Sequence, residues 1–371
     1  MHMEKRQPSD QLSRRDFLRI TAGALAATGI SIFLPGCGPA GAPAVATPAG
    51  VVAGMVDTSK FKKDPPWNVG RAGAGDVNAW MVMLSQHYEY GIKEKYKDLF
   101  ANYYVTAANF DPSKQISDVE DLLSKDIDLL FIEPAAEAPL TAVVEKAADR
   151  GIPVVLVSTR VNTDKYTTWI SRNNVQVGFM YADYIGRKLN GKGGVVLLMG
   201  FAGSSYAEDV LRGVRQGLSK YPEMKELAMA NANWSPTDAK KAMEAFIQAH
   251  PQIDGVISDG GQMALGAVDA LLDAKRSIPP ITADGWNGWL RRAKELNLEF
   301  FAVSGDQAMS LTAVDQAVKI LRGEPIAKNV EYPVVTFEQD QIDKYYRPDL
   351  NDQYWAPHQL PEEWVQRVYK A

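Results

Sequence analysis

The feature that most restricts what this chain can fold into is a repeated alternation of short apolar runs with amphipathic stretches from residue 68 to residue 322. Val195-Val196-Leu197-Leu198-Met199 shows the type: five apolar residues in a row, bounded by glycine on both sides. Continuous runs of that length suit strands covered on both faces, as in parallel sheets. The pattern predicts strands over 68–72, 100–106, 127–132, 153–157, 167–171, 194–199, 227–231, 255–258, 280–283 and 300–303. Helices are predicted over 79–96, 138–150, 174–189, 205–220, 236–249, 263–275, 289–296 and 308–322. One more opens at Asp111-Pro112, where an N-cap residue precedes proline at the first helical position. Strand–helix alternation means an α/β fold with right-handed crossovers. An eight-stranded barrel is one arrangement. Ten strands, and a length that exceeds one compact core, favour two doubly wound parallel sheets.

In open parallel sheets, ligands bind beyond the carboxyl ends of the strands. The residues that stand there are therefore the candidates. They include Asp76, Asn78 and Trp80 after the first strand, Asn109 after the second, Glu133 after the third and Arg160 after the fourth. Asn174, Trp234, Asp259, Asp284 and Trp286 follow later strands, with Ser158, Thr159, Arg172, Gln262 and Asp306 at the same edges. Carboxylates, carboxamides, arginines and indoles together suit a sugar. Planar polar groups pair with vicinal hydroxyls, and aromatic faces cover C–H faces.

Catalytic and metal chemistry find little support. The four histidines (2, 87, 250 and 358) lack metal-ligand spacing, and Cys37 is the only cysteine. Gly203-Ser204-Ser205 is no nucleophile elbow, and the glycines at 70, 73 and 75 make no dinucleotide fingerprint. No metal or cofactor is expected. With one cysteine the chain forms no internal disulfide, so its stability must come from burial.

The N-terminus reads as an export address. Ser13-Arg14-Arg15-Asp16-Phe17-Leu18-Arg19 resembles the twin-arginine motif. The uncharged run that follows, 20–34, is long enough for a signal sequence and too short to span a bilayer. Leu34-Pro35-Gly36-Cys37 resembles a lipobox, although Pro35 departs from the usual small residue. The expectation is a signal peptide over 1–36, a diacylated Cys37 as mature N-terminus, and an extracytoplasmic protein anchored to the membrane by lipid. Residues 37–66 are rich in Gly, Ala and Pro and are expected to be a flexible tether. Loss of five basic and three acidic residues with the leader takes the formal net charge from −5 to −7. An acidic surface argues against nucleic acid as a partner.

Several stretches resemble the ribose-binding type of periplasmic solute-binding protein. They are DPSKQISDVEDL, GIPVVLV, ISRNNVQVGFMYADYI, GFAGSS, HPQIDGVISDGGQMALGAVDAL and ITADGW. The resemblance implies a type I fold of two lobes, 67–172 plus 305–332 and 173–304 plus 333–371, joined by three crossing strands. It implies aromatic walls at Trp80 and Trp234, a sugar-binding acid at Asp284 and an amide at Asn78. It departs from the ribose pattern at Ser158-Thr159, where an Asp-Arg pair is expected, and at Glu208 and Gly260. A different hexose, pentose or polyol follows, with the room at Gly260 favouring a pyranose. The tail beyond Lys328 is expected to be a strap along the second lobe with a helix over 362–369, its aromatics serving packing. The resemblance makes the chain a monomeric receptor that delivers its ligand to the permease of an ABC importer. A receptor for sugar or autoinducer in a signalling pathway is the alternative. A repressor of the same fold is disfavoured, because the export signal occupies the place of its DNA-binding domain.

Overall fold

The computed structural model describes residues 53–371. The expected signal peptide, Cys37 and the first part of the tether lie outside the described residues. The strands β1 (Ala53–Val56), β2 (Trp67–Gly73), β3 (Phe100–Ala107), β4 (Leu129–Ile132), β5 (Val154–Val157) and β6 (Thr168–Ser171) build the first sheet. The second holds β7 (Lys192–Met199), β8 (Glu223–Asn231), β9 (Gly255–Ser258), β10 (Ile281–Ala283) and β11 (Phe300–Ser304). Next, β12 (Ile326–Glu331) returns to the first sheet and β13 (Val335–Glu338) to the second. The orders are β1-β12-β6-β5-β4-β2-β3 and β13-β11-β10-β9-β7-β8. Two sheets, not one barrel, carry the fold, and the chain passes between them after β6, after β11 and after β12.

Pairing is parallel throughout except at β1–β12 and β11–β13. The central strands are buried along their whole length, as their apolar runs require. Helices cover the faces: α1 (Ala79–Tyr90), α2 (Pro112–Leu123), α3 (Glu137–Asp149), α4 (Asn174–Lys188), α5 (Ser205–Leu218), α6 (Pro236–Ala249), α7 (Gly261–Asp273), α8 (Asn287–Leu296) and α9 (Met309–Arg322). The short α10 (Ile342–Tyr345) and α11 (Glu362–Tyr369) lie in the C-terminal segment. Asp111 caps α2 as its sequence suggests, accepting from the backbone N–H groups of Ser113 and Lys114.

Residues 53–66 correct the expectation of a tether that runs to 66. β1 pairs with β12, Thr58 is buried and donates to the Glu324 carbonyl, and Lys63 N–H donates to the Leu321 carbonyl. Composition misleads here because an edge strand needs only a few residues with β propensity and one neighbour to pair with. Trp67 then seals the join: it is 1 % exposed, meets Phe100 edge to face at 5.8 Å and donates its indole N–H to the Lys63 carbonyl. We expect Trp67→Ala to cost about 3–5 kcal/mol in urea unfolding, whereas Trp67→Phe, which keeps most of the buried area, loses well under half of that.

Candidate functional site

The carboxyl ends of both sheets face one cavity. Its aromatic walls come from two turns of the same design. Ala108-Asn109-Phe110-Asp111-Pro112 follows β3, and Ala232-Asn233-Trp234-Ser235-Pro236 follows β8. In each, the asparagine and the ring residue are left-handed, at φ 54° and 59° in the first and 55° and 51° in the second. Such a pair is unfavourable for side-chain-bearing residues, and strain of this kind clusters at functional sites. Here it turns both rings inward. Phe110 and Trp234 meet across the cleft at 5.7 Å and 38°, and Phe110 stacks on Phe201 at 5.4 Å. Trp234 has room because residue 200 is glycine: a Cβ there would lie 2.1 Å from the indole ring.

The polar part of the cavity is built from strand ends. Asp259, after β9, accepts from the Trp234 indole N–H and from Gly200 N–H, both at 3.0 Å. Asp284, after β10, accepts from Gly261 N–H at 2.7 Å and Trp286 N–H at 3.1 Å. Burial pushes each carboxyl up to about 7, against the hydrogen bonds that favour its charged form. Arg172, at the first crossing, pairs with Asp306 beyond the second at 3.2 Å and lies over the Tyr206 ring at 5.0 Å. Trp80, in the first turn of α1, donates its indole N–H to the other oxygen of Asp306 at 3.2 Å. Asn78 caps α1 through its carboxamide oxygen, which accepts from Met81 N–H.

Among the residues expected from sequence, Asn78, Trp80, Glu133, Trp234, Asp259 and Asp284 are brought together around the cavity, with Ser158, Thr159, Arg172, Gln262 and Asp306 beside them. Glu133 is already engaged there, by Arg71 at 3.0 Å and by the Tyr88 hydroxyl at 2.8 Å. The others lie elsewhere. Asp76 is exposed and accepts from Ser85. Asn109 is exposed and serves its turn. Asn174 is buried and accepts from Arg172 at 3.1 Å. Trp286 packs in the core of the second lobe, beneath the C-terminal segment. Arg160 bridges the rim, paired with Glu137 on its own side and with Asp209 of α5 across the cleft. Sequence reasoning passed over Phe110, Tyr181, Tyr206 and Trp355, which line the cavity. The repeated Asn-aromatic-x-Pro pattern was a signal that points to Phe110. Tyr181, Tyr206 and Trp355 sit away from strand ends, and no local pattern marks them. Gly260 does not open free room: a Cβ there would stand 3.3 Å from Trp234 and 3.5 Å from Asp284, so their side chains already fill the space.

Among the described residues no group of three His, Cys, Asp or Glu side chains is placed to hold a metal ion. The arrangement has opposed aromatic faces, buried acceptors and one arginine. It can hold a compact neutral molecule with hydroxyls around an apolar ring or chain.

Comparison with known proteins agrees with this geometry. The periplasmic binding protein domain family matches residues 77–325, and the chain belongs to it. Membership makes it a binding protein, not an enzyme, and places its work outside the cytoplasm. The xylitol-binding protein of Mycolicibacterium smegmatis is 29 % identical over 239 residues, 64 % of this chain and 68 % of that protein. The ribose import binding protein of Bacillus subtilis (strain 168) is 29 % identical over 257 residues, 69 % of this chain and 82 % of its relative. Among solved structures, the fructose-binding periplasmic domain of a hybrid two-component system superposes with a TM-score of 0.68 at 27 % identity. That match covers 75 % of this chain and 92 % of the other.

The titrating groups predict a pH signature. Asp259 and Asp284 have folded values near 7, above their unfolded ones, so their contribution to stability is full in acid and lost as pH rises towards 7. His87 and His358 are depressed by burial, to about 3 and about 4, so their contribution grows as pH rises towards the unfolded histidine value. Between pH 5 and 6.5 the two pairs oppose each other; above 6.5 the histidine contribution fades while the acids go on titrating through about 7. Urea melts should give a flat stability profile that then falls, and the Asp259→Asn/Asp284→Asn variant should rise and then level off.

Proposed function

We propose that this chain is the extracytoplasmic receptor of an ABC importer and binds a monosaccharide or similar polyol in the cavity between its lobes. The observation that carries the reading is the cavity wall itself, where Trp80, Phe110 and Trp234 surround the buried acceptors Asp259 and Asp284. Both lobes contribute, so a closed form makes contacts that an open form cannot, and ligand shifts the population towards closure. The lobes divide at the three crossings, giving 67–172 with 305–332 and 173–304 with 333–371, and residues 53–66 join the first through β1. The permease then recognises the closed shape. Xylitol and ribose, named for relatives at 29 % identity, are the first compounds to try.

Thermal-shift screening of monosaccharides and polyols tests this reading. A compound at a hundred times its dissociation constant adds about 2.7 kcal/mol to stability, a visible shift, and silence across the panel would overturn the sugar assignment. For a compound that binds, Asp284→Ala should remove hydrogen bonds to a charged acceptor, each about 1.5–3 kcal/mol. Calorimetry should then read a dissociation constant raised roughly ten- to a hundredfold.

The same receptor is proposed to leave the cell by the twin-arginine route, to work as a monomer and to hold the membrane through a diacylated Cys37. Two acyl chains make a stable anchor where one is marginal. Mass spectrometry of the mature protein should find an acylated cysteine at its N-terminus, and Cys37→Ala should move the protein from the membrane to the soluble fraction. The structural likeness to a domain of a two-component system favours a second reading, in which the bound sugar is reported to a kinase. Loss of sugar uptake on deletion of the gene supports import and rejects that reading.

A further inference from the structure

The C-terminal segment does more than pack along one lobe. It is fixed to the second lobe beside the cavity. The Asn287 carboxamide donates to the carbonyls of Arg347, Leu350 and Asn351 and accepts from Arg347 N–H. Ala356 N–H donates to the Gly285 carbonyl, and the two chains run so close that a Cβ on Gly285 would lie 1.8 Å from the Ala356 oxygen. Ser304, at the end of β11, donates to that same oxygen at 2.7 Å and accepts from the Trp355 indole N–H at 2.8 Å. This fixes Trp355, 3 % exposed, as one wall of the cavity.

From there the chain crosses to the other lobe. Gln359 N–H donates to His87 Nε2 at 3.2 Å, which leaves the proton on Nδ1 to be donated to the Met83 carbonyl. In α11, Trp364 donates its indole N–H to Gln86 at 3.0 Å and meets Tyr90 edge to face at 5.5 Å. All of these partners are on α1, the helix whose first turn carries Asn78 and Trp80 into the cavity.

We propose that residues 346–371 form a clasp. Trp355 contacts the bound molecule, while Gln359 and Trp364 grip α1 and bias the lobes towards closure with or without ligand. It rests on the receptor reading for the role of the cavity, but the grip can be tested apart from it. The grip falls on α1, whose first turn carries Asn78 and Trp80, so the clasp adds to the closed state through that helix and not through the carboxyl groups of Asp259 and Asp284.

The test uses the full chain, with Trp364→Ala and the milder Gln86→Ala, each first shown to melt cooperatively. In buffer alone, small-angle scattering should report a larger radius of gyration for Trp364→Ala, and hydrogen exchange across 79–90 should quicken tenfold or more. Gln86→Ala should do the same to a smaller degree. Faster exchange in 362–369 alone, with scattering and α1 unchanged, would overturn the grip. Xylitol and D-ribose are the probes for the wall. If either binds the wild-type chain, Trp355→Ala should raise its dissociation constant tenfold or more and Trp364→Ala about fivefold; an unchanged constant in Trp355→Ala would overturn the contact. If neither probe binds nor any compound of the wider panel, the sugar reading falls with the contact, and the scattering result still decides the grip.

Discussion

The ion pair between Arg172 and Asp306 is the interaction on which the rest of this structure turns. Its two residues stand on two of the three segments that pass between the lobes, and both are buried. Burial opposes the arginine's charge, and Asp306, Tyr206, Tyr181 and Asp284 together more than offset that. Removing one partner of such a pair leaves an unpaired buried charge, at a cost on the order of 3–5 kcal/mol. The second oxygen of Asp306 holds the Trp80 indole, and the guanidinium lies on Tyr206. Hinge geometry and the position of two cavity walls are therefore set by one carboxylate.

The two lobes meet that hinge with matched devices. Asn109-Phe110 and Asn233-Trp234 are consecutive left-handed residues after the outermost parallel strand of each sheet, each followed by a capped helix with proline at its first position. The cost of the turn secures a ring aimed across the cleft instead of along the sheet edge. Phe110 and Trp234 are not interchangeable in their polar contacts, however. Only the indole has a donor, and Asp259 accepts it. The second lobe thus ties its aromatic wall to a titrating acid, while the first ties its own to hydrophobic stacking on Phe201.

Much of this was legible in the sequence, and the limits have physical causes. The buried strands announce themselves, because a strand covered on both faces is mostly apolar, with Ser258 and Ser304 only at the last positions of β9 and β11: β4, β5, β9 and β11 all match the predicted boundaries to within two residues. β1, β12 and β13 do not: β1 is four residues inside a stretch rich in Gly, Ala and Pro, and β12 and β13 are partly solvated and mix polar with apolar residues. The strand-end rule picks out Trp80, Trp234, Asp259 and Asp284, and all four line the cavity. It failed at Arg160, where a charge at a strand end serves the rim. It was silent about Trp355, which reaches the cavity from far along the chain. Sequence proximity carries no information about which distant segment returns to cover a cleft.

Charge restricts what the proposed site can accept. Asp259, Asp284, Asp306 and Glu133, the last paired with Arg71, line the cavity, and Arg172 is the cation among the lining residues. With Arg172 already paired to Asp306, an anionic sugar acid would meet two further acids and no free positive partner, a costly arrangement away from water. A neutral polyol meets no such penalty. Its hydroxyls donate to the carboxylates and favour their charged forms, so binding near neutral pH draws protons off Asp259 and Asp284. The burial that makes these acids reluctant to ionise makes them strong acceptors for further hydroxyl donors. Hydroxyl-rich ligands are thereby separated from apolar ones of the same shape, which would add no donor to those that Asp259 and Asp284 already accept from the protein.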